Sequence, residues 1–179
     1  IETWAHLDTN SQTEVEAFHE FCQMALGHSF TAIYWMPKYI VQLDPSGQQV
    51  AAYVEQHLAN APGIDGDMLA RLGYLASVYP DDSDAWTAIA RPICVRVGSM
   101  RRNDREQVYF GLARKETGTL SSMPGEVPHY YLATRDKAVR LRDAESPASP
   151  LCGYREWALR RAEVNLRREQ ERAEEDANG

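Results

Sequence analysis

The sequence is poor in the features that define several large classes of protein. It has only three cysteines, Cys22, Cys94 and Cys152, which lie far apart and form no Cys-x-x-Cys pair, so we expect neither a disulfide framework nor a structural zinc site. It has no apolar run of about 18 residues and no basic segment followed by an apolar one near residue 1, which argues against a membrane span and a signal peptide. We therefore expect a cytoplasmic protein that does not contact a membrane.

The sequence also lacks the short motifs that mark common enzymes. G-x-S-x-G, G-x-x-x-x-G-K-[ST], G-x-G-x-x-G and H-E-x-x-H are all missing, so no hydrolase, P-loop, dinucleotide-binding or zinc-protease chemistry is indicated. We expect no cofactor and no bound metal, and we favour a non-catalytic protein.

Basic residues are almost missing from the first half of the chain. Residues 1–90 contain only Lys38 and Arg71 against 12 acidic residues, a net charge of −10. Residues 91–179 contain 17 basic residues against 14 acidic ones, a net charge of +3, and 15 of the 17 are arginine. Because arginine favours bidentate pairing with phosphate and carboxylate, this asymmetry predicts an anionic partner for the second half.

Apolar spacing and local caps predict a mixture of helices and strands. The capping box formed by Ser11 and Glu14 opens the first helix, and Asp65 or Asp67 can cap a later one. The predicted helices are 11–27, 48–60, about 65–76 and 154–175. Segments rich in β-branched and aromatic residues predict the strands, which are 2–8, two pieces within 30–43, two within 86–115 joined by an arginine-rich loop, 129–134 and 138–142.

In chain order these elements predict an α+β fold. The N-terminal portion has the ferredoxin-like order βαββαβ, with a mostly antiparallel sheet, helices packed on one face and a long charged C-terminal helix. We predict a single domain over 1–145, acidic in 1–90 and basic in 91–145. A linker rich in proline and serine over 146–153 would then lead to a charged helix and acidic tail over 154–179.

The phrase from Gln107 to Arg114, QVYFGLAR, resembles a strand of the archaeo-eukaryotic primase-polymerase modules. Those enzymes carry metal-binding aspartates on nearby strands, whereas this sequence has His129, Tyr130 and Tyr131 at the corresponding place. No catalytic residue is therefore carried over from the resemblance.

Arginines interleaved with aromatic residues carry the leading functional hypothesis. A surface that presents rings and arginines together can stack bases and pair with phosphates. We therefore predict a non-catalytic module that binds nucleic acid or a nucleic-acid-binding protein complex, its oligomeric state left open. The predicted contact residues are Arg101, Arg102, Arg105, Tyr109, Arg114, Lys115, Arg135, Arg140, Arg160 and Arg161.

Two alternatives depend on the acidic half instead. In the first, the protein is an inhibitor or nucleic-acid mimic that binds a basic groove of a protein partner. Its predicted contact residues are Asp65, Asp67, Asp81, Asp82 and Asp84. In the second, the acids of 65–67 or 81–84 hold a metal for nucleotidyl transfer. Helix capping and solvated turns explain the same aspartates without any function.

Overall fold

The computed structural model describes residues 7–27, 36–113 and 127–179, and all regular secondary structure within them is helical. The eight helices are α1 Gln12–Gly27, α2 Met36–Leu43, α3 Gln48–Asn60, α4 Gly66–Ser77, α5 Asp84–Val97, α6 Arg102–Leu112, α7 Val127–Ala144 and α8 Cys152–Asn178. They form two compact units, Ile1–Arg114 and Lys115–Gly179. The predicted α+β, ferredoxin-like fold with an antiparallel sheet is therefore wrong.

The helices predicted from caps are confirmed. At the start of α1, Ser11 Oγ accepts a hydrogen bond from the Glu14 N–H at 3.4 Å, while Glu14 Oε2 accepts from the Asp8 N–H at 2.9 Å. At the start of α4, Asp65 Oδ1 accepts from the Met68 N–H at 2.9 Å. Ser11 and Asp65 satisfy amide groups that the first turn of a helix leaves without partners, whereas Glu14 satisfies an amide in the segment before α1. The local sequence is therefore sufficient to place both helix starts.

The strands predicted within 86–115 are helices α5 and α6. In α5, Ile89, Ile93 and Val97 follow one another at four-residue intervals and are completely buried, whereas Val95 is 64% exposed. A strand would have placed Val95 on the same face as Ile93 and Val97. The helical period of 3.6 residues therefore describes this segment, and its β-branched composition misled the prediction because strand propensity yields to tertiary context.

The other predicted strands are corrected or fall outside the described residues. Residues 36–43 form α2, with Pro37 in its first turn, where a missing N–H costs little. The predicted hairpin over 129–142 lies within α7. Residues 107–112, which resembled a primase-polymerase strand, are helical in α6. Residues 2–6 and 30–35 lie outside the described residues.

Within the first unit, alternate helices run parallel. A Cβ on Gly47, before α3, would lie 2.7 Å from the Cβ of Ala85 at the start of α5. At the other ends of the same helices, Arg96 donates hydrogen bonds to the carbonyls of Leu58 and Pro62 at 2.6 and 3.2 Å. Helices α3 and α5 are therefore parallel neighbours, and Arg96 satisfies carbonyl groups that the end of α3 leaves open.

Helices α4 and α6 are also parallel, and their backbones touch. A Cβ on Gly111 of α6 would lie 2.5 Å from the carbonyl oxygen of Ala70 in α4, and one on Gly73 would lie 3.1 Å from the Leu112 nitrogen. The Trp86 indole N–H donates to the Leu112 carbonyl at 3.0 Å, which ties the start of α5 to the end of α6. Glycine is required at this crossing because any side chain would separate the helices.

The second unit contains a helical hairpin of α7 and α8. The residues of α8 that are buried recur at helical spacing and end at Leu166; they include Leu159 and Ala162. Arg155, 5% exposed, pairs with Glu145 across the connection at 3.4 Å. Residues 146–151 of the predicted linker lie between the two helices, whereas Cys152 and Gly153 belong to α8. The predicted domain boundary at residue 145 stays a prediction. None of the helices described here is long and apolar enough to cross a membrane.

Candidate functional site

Three arginines surround the first turn of α6. Arg101 is the residue that precedes the helix, and its side chain makes no capping hydrogen bond. Arg102 pairs with Glu106 one turn later at 3.2 Å, yet its side chain remains 82% exposed. Within the described part of the chain, no residue forms an ion pair with Arg101 or Arg105. We call these three residues the arginine end of α6.

Two aromatic residues follow the arginine end of α6 on the same helix. Tyr109 lies one turn after Arg105 and is partly exposed, and the neighbouring Phe110 is 43% exposed. Residues four apart on a helix face the same way. The association of arginine with aromatic rings that we expected on a sheet is therefore found on one helix.

The parallel packing of α4 on α6 brings acidic residues at the start of α4 next to the arginine end of α6. A Cβ on Gly66 would lie 3.2 Å from the Cβ of Asp104, so the starts of the two helices are in contact. Asp65 and Asp67 flank Gly66, and Asp67 pairs with Arg71 at 3.2 Å. Residues assigned to the two rival binding hypotheses are thus neighbours in space.

The other predicted acidic residues lie at the opposite end of α4. Asp81 and Asp82 belong to the connection after α4, and Asp84 lies in the first turn of α5 beside Ser83, whose Oγ accepts from the Trp86 N–H at 3.2 Å. Since α4 has 12 residues, its two ends are about 18 Å apart. The five aspartates are therefore divided between two places.

The remaining predicted contact residues belong to the second unit or lie outside the description. Arg135 and Arg140 are on α7, where Arg135 pairs with Asp136 at 3.0 Å. Arg160 and Arg161 are exposed on α8. Arg114 and Lys115 lie outside the described residues.

The division into units changes how the charge is distributed. The first unit, residues 1–114, holds 8 basic against 14 acidic residues, a net charge of −6. The second, residues 115–179, holds 11 against 12, a net charge of −1. The excess of arginine in the second half is therefore balanced within the hairpin unit, and the arginine end of α6 is a local basic area on an acidic unit.

A polar groove of about 670 Å³ lies between α1 and α3. The imidazoles of His19 and His57 both contact the Tyr53 ring, with ring centroids 5.6 and 6.0 Å from it. The Tyr53 hydroxyl donates to Gln23 Oε1 at 2.5 Å, and burial raises the pKa of Tyr53 to about 12. The phenol is therefore neutral at physiological pH and acts as a hydrogen-bond donor.

One polar atom of the groove is unsatisfied. Nε2 of His19 is buried and has no hydrogen-bond partner, which is uncommon for a buried nitrogen and calls for an explanation. Sequence reasoning missed His19. It lies on the same helix as Glu16 and Gln23, three residues after the first and four before the second, but only the packing of α1 against α3 brings it to Tyr53.

A buried polar cluster at the start of α3 has a structural role. Asp44, 4% exposed, accepts from the Val50 N–H at 2.9 Å, and its carbonyl accepts from the Tyr79 hydroxyl. Burial raises the pKa of Asp44, of Tyr79 and of the neighbouring Cys22, the last to about 12. Asp44 therefore holds the first turn of α3 in place and is shielded from solvent.

Comparison with known proteins gives no relative. No family model, no curated protein and no solved structure matches the chain. Among residues 7–27, 36–113 and 127–179, no group of three or more histidine, cysteine, aspartate or glutamate side chains could hold a metal ion.

Proposed function

We propose that the protein is a non-catalytic module that binds nucleic acid through the arginine end of α6. The observation that carries the proposal is the placement of Arg101, Arg102 and Arg105 around one helix start, where the first two are exposed and Arg105 is half-buried. Arg101 and Arg105 have no ion-pair partner among the described residues. Arginines placed this way can form bidentate contacts with phosphate, and the amide groups of a helix start add to the attraction.

The rings beside this area suit a single strand better than a duplex. Tyr109 and Phe110 follow the arginines within two turns, and bases of a single strand can stack on partly exposed aromatic side chains. Asp65, Asp67 and Asp104 lie close by and oppose phosphate binding, so we expect modest affinity with a steep dependence on salt.

The test is fluorescence anisotropy of the full chain with a labelled single strand and the matching duplex over a series of salt concentrations. Replacing the three arginines together, Arg101→Ala, Arg102→Ala and Arg105→Ala, should weaken single-strand binding by roughly tenfold to a hundredfold and lower the logarithmic salt slope by about 2. A matched control, Arg167→Ala, Arg168→Ala and Arg172→Ala, removes the same charge from exposed positions of α8 and should leave binding nearly unchanged.

Two outcomes contradict the proposal. One is a complete lack of binding at low salt. The other is an equal loss of binding in the two triple variants, which would mean that net charge alone attracts the nucleic acid.

A second candidate is the acidic one, in which the first unit binds a basic groove of a protein partner. The net charge of −6 on residues 1–114 favours it, as does the exposure of Asp82 and Asp84 at the start of α5. If nucleic acid does not bind at low salt, Asp82→Asn with Asp84→Asn is the variant to test against a captured basic partner. A loss of that partner relative to the unchanged chain would support this candidate.

A further inference from the structure

One face of α5 is exposed along the whole helix. Asp84, Ala88, Arg91 and Val95 are all exposed and follow one another at intervals of four, three and four residues. Residues at this spacing lie on the same face of a helix, and the buried residues of α5 lie on the opposite side. We call these four residues the open face of α5.

The open face of α5 has an apolar centre. The side chain of Val95 is 64% exposed, the highest value for a large apolar residue in the ranges that the structure describes. Ala88 lies two turns earlier, and Pro92, which is half-buried, lies between them. A single exposed valine is ordinary on a protein surface, but these three neighbours can form one continuous contact with a second helix.

The two ends of this face carry opposite charges. Asp84 lies in the first turn of α5, shortly after the exposed Asp82. Arg101 and Arg102, both exposed, follow the end of the helix. Because α5 has 14 residues, it is about 21 Å long. The acidic end and the basic end are therefore too far apart to pair with each other within one copy.

A surface with this order of charges is complementary to itself. If two copies meet about a two-fold axis with their α5 helices antiparallel, the acidic end of one lies against the basic end of the other. The apolar centres then meet at the axis, and each contact occurs twice. A different protein would need the same order of acidic, apolar and basic residues, whereas a second copy has it by symmetry.

We propose that the open face of α5 packs antiparallel against the same face of a second copy of this chain. Asp84 of each copy pairs with Arg101 of the other, and Val95 lies near the axis. The two Arg91 side chains also approach the axis and repel each other, so we expect a weak dimer that dissociates further in salt. This inference does not depend on the proposed function.

The test is sedimentation velocity of the full chain at protein concentrations from about 1 to 500 µM. We expect an equilibrium of monomer and dimer with a Kd on the order of 10–100 µM at low salt. Val95→Asp places a carboxylate in the apolar centre and should weaken the dimer at least about tenfold. Val164→Asp is the matched control, because it makes the same change at a valine of α8 that is 42% exposed, and it should have little effect.

An exchange of charges tests the pairing of the ends. Asp84→Arg and Arg101→Asp should each weaken the dimer at least about fivefold, because each places like charges together at both contacts. The double variant reverses both ends and should restore dimerisation to within about threefold of the unchanged chain. Val95→Asp leaves the arginine end of α6 intact and should not alter nucleic-acid binding, so the two proposals can fail separately.

Three results would overturn the inference. The first is a chain that stays monomeric at the highest concentration, which would leave the open face of α5 to a different protein. The second is equal dimerisation of Val95→Asp and Val164→Asp. The third is a double charge variant that dimerises no better than either single variant, which would show that the acidic and basic ends do not meet.

Discussion

Two helix pairs in the first unit are packed in opposite ways. Where α4 crosses α6, Gly73 and Gly111 let the two backbones touch, and a Cβ on Gly111 would lie 2.5 Å from the Ala70 oxygen. Between α1 and α3, the rings of His19, Tyr53 and His57 hold the helices further apart and leave a groove of about 670 Å³. The first contact has no room for a ligand, whereas the second has both room and polar groups.

The difference shows how one small bundle can contain both a close backbone contact and an open groove. Glycine removes the side chains that would otherwise occupy the contact, and close backbone approach then adds dispersion contacts over the whole crossing. Bulky polar residues do the reverse, because their rings cannot fill the space between two helices without a gap.

The largest effect should come from adding one methyl group to the close contact. Gly111→Ala would place a Cβ 2.5 Å from the Ala70 oxygen and 3.1 Å from its Cα. Both are backbone atoms, so no change of rotamer relieves the clash. We expect the free energy of unfolding to fall by roughly 2–4 kcal/mol, despite the higher helix propensity of alanine. Urea denaturation followed by circular dichroism measures the loss.

Gly63→Ala is the control for this variant, since no atom lies within 4 Å of a Cβ at that position. Its stability should change by less than about 0.5 kcal/mol. Equal stability of the two variants would mean that α4 and α6 do not touch as described.

A second effect should be a loss of folding stability at alkaline pH, which comes from titratable groups in α1 and α3. Burial raises the pKa of Cys22 in α1 from 9.0 to about 12, and that of Tyr53 in α3 from 10.0 to about 12. The folded state therefore holds protons that the unfolded state has lost once the pH exceeds 9. Stability should be complete below that pH and fall between pH 9 and 12, first because the Cys22 thiol ionises in the unfolded state and, above pH 10, also because the Tyr53 phenol does.

Urea denaturation at a series of pH values from neutral to alkaline checks this slope. Cys22→Ala lowers stability at neutral pH because it leaves a cavity, yet its loss of stability with rising pH should be smaller than that of the unchanged chain. Gly111→Ala should be displaced by a constant amount at every pH, since it removes no titratable group. A slope that Cys22→Ala leaves unaltered would contradict the assignment.

The smallest effect should come from the hydrogen bond across the groove. Tyr53→Phe keeps the ring between the two histidines and removes the hydroxyl that donates to Gln23 Oε1. We expect a loss of about 0.5–1.5 kcal/mol in the free energy of unfolding. Tyr39→Phe, at a position 55% exposed, is the matched control and should be nearly neutral. A double-mutant cycle with Gln23→Ala should recover most of the Tyr53→Phe loss as coupling energy.

Some of the fold could be predicted from the sequence because the information was local. Ser11 and Glu14 placed the start of α1, and Asp65 placed the start of α4. The central segment could also have been assigned correctly, since Ile89, Ile93 and Val97 already repeat at helical spacing. Its β-branched and aromatic composition suggested strands instead, although Val95 and Phe110 are exposed on the helices that form there.

The candidate sites were less accessible to prediction because they combine distant segments. Arg101, Arg102 and Arg105 were singled out by charge alone, whereas their proximity to Asp65 and Asp67 follows from the parallel packing of α4 on α6. The groove between α1 and α3 was not predicted, since His19 and Tyr53 are 34 residues apart in the sequence. Neither residue belongs to a motif of its own.

The sequence was enough to establish the charge asymmetry, the missing enzyme motifs and the caps that begin α1 and α4. Only the tertiary structure established that the backbones of α4 and α6 touch and that the Tyr53 ring contacts two imidazoles between α1 and α3. The physical reason is that burial and helix pairing depend on contacts between residues far apart in the chain, and these contacts can override local propensity.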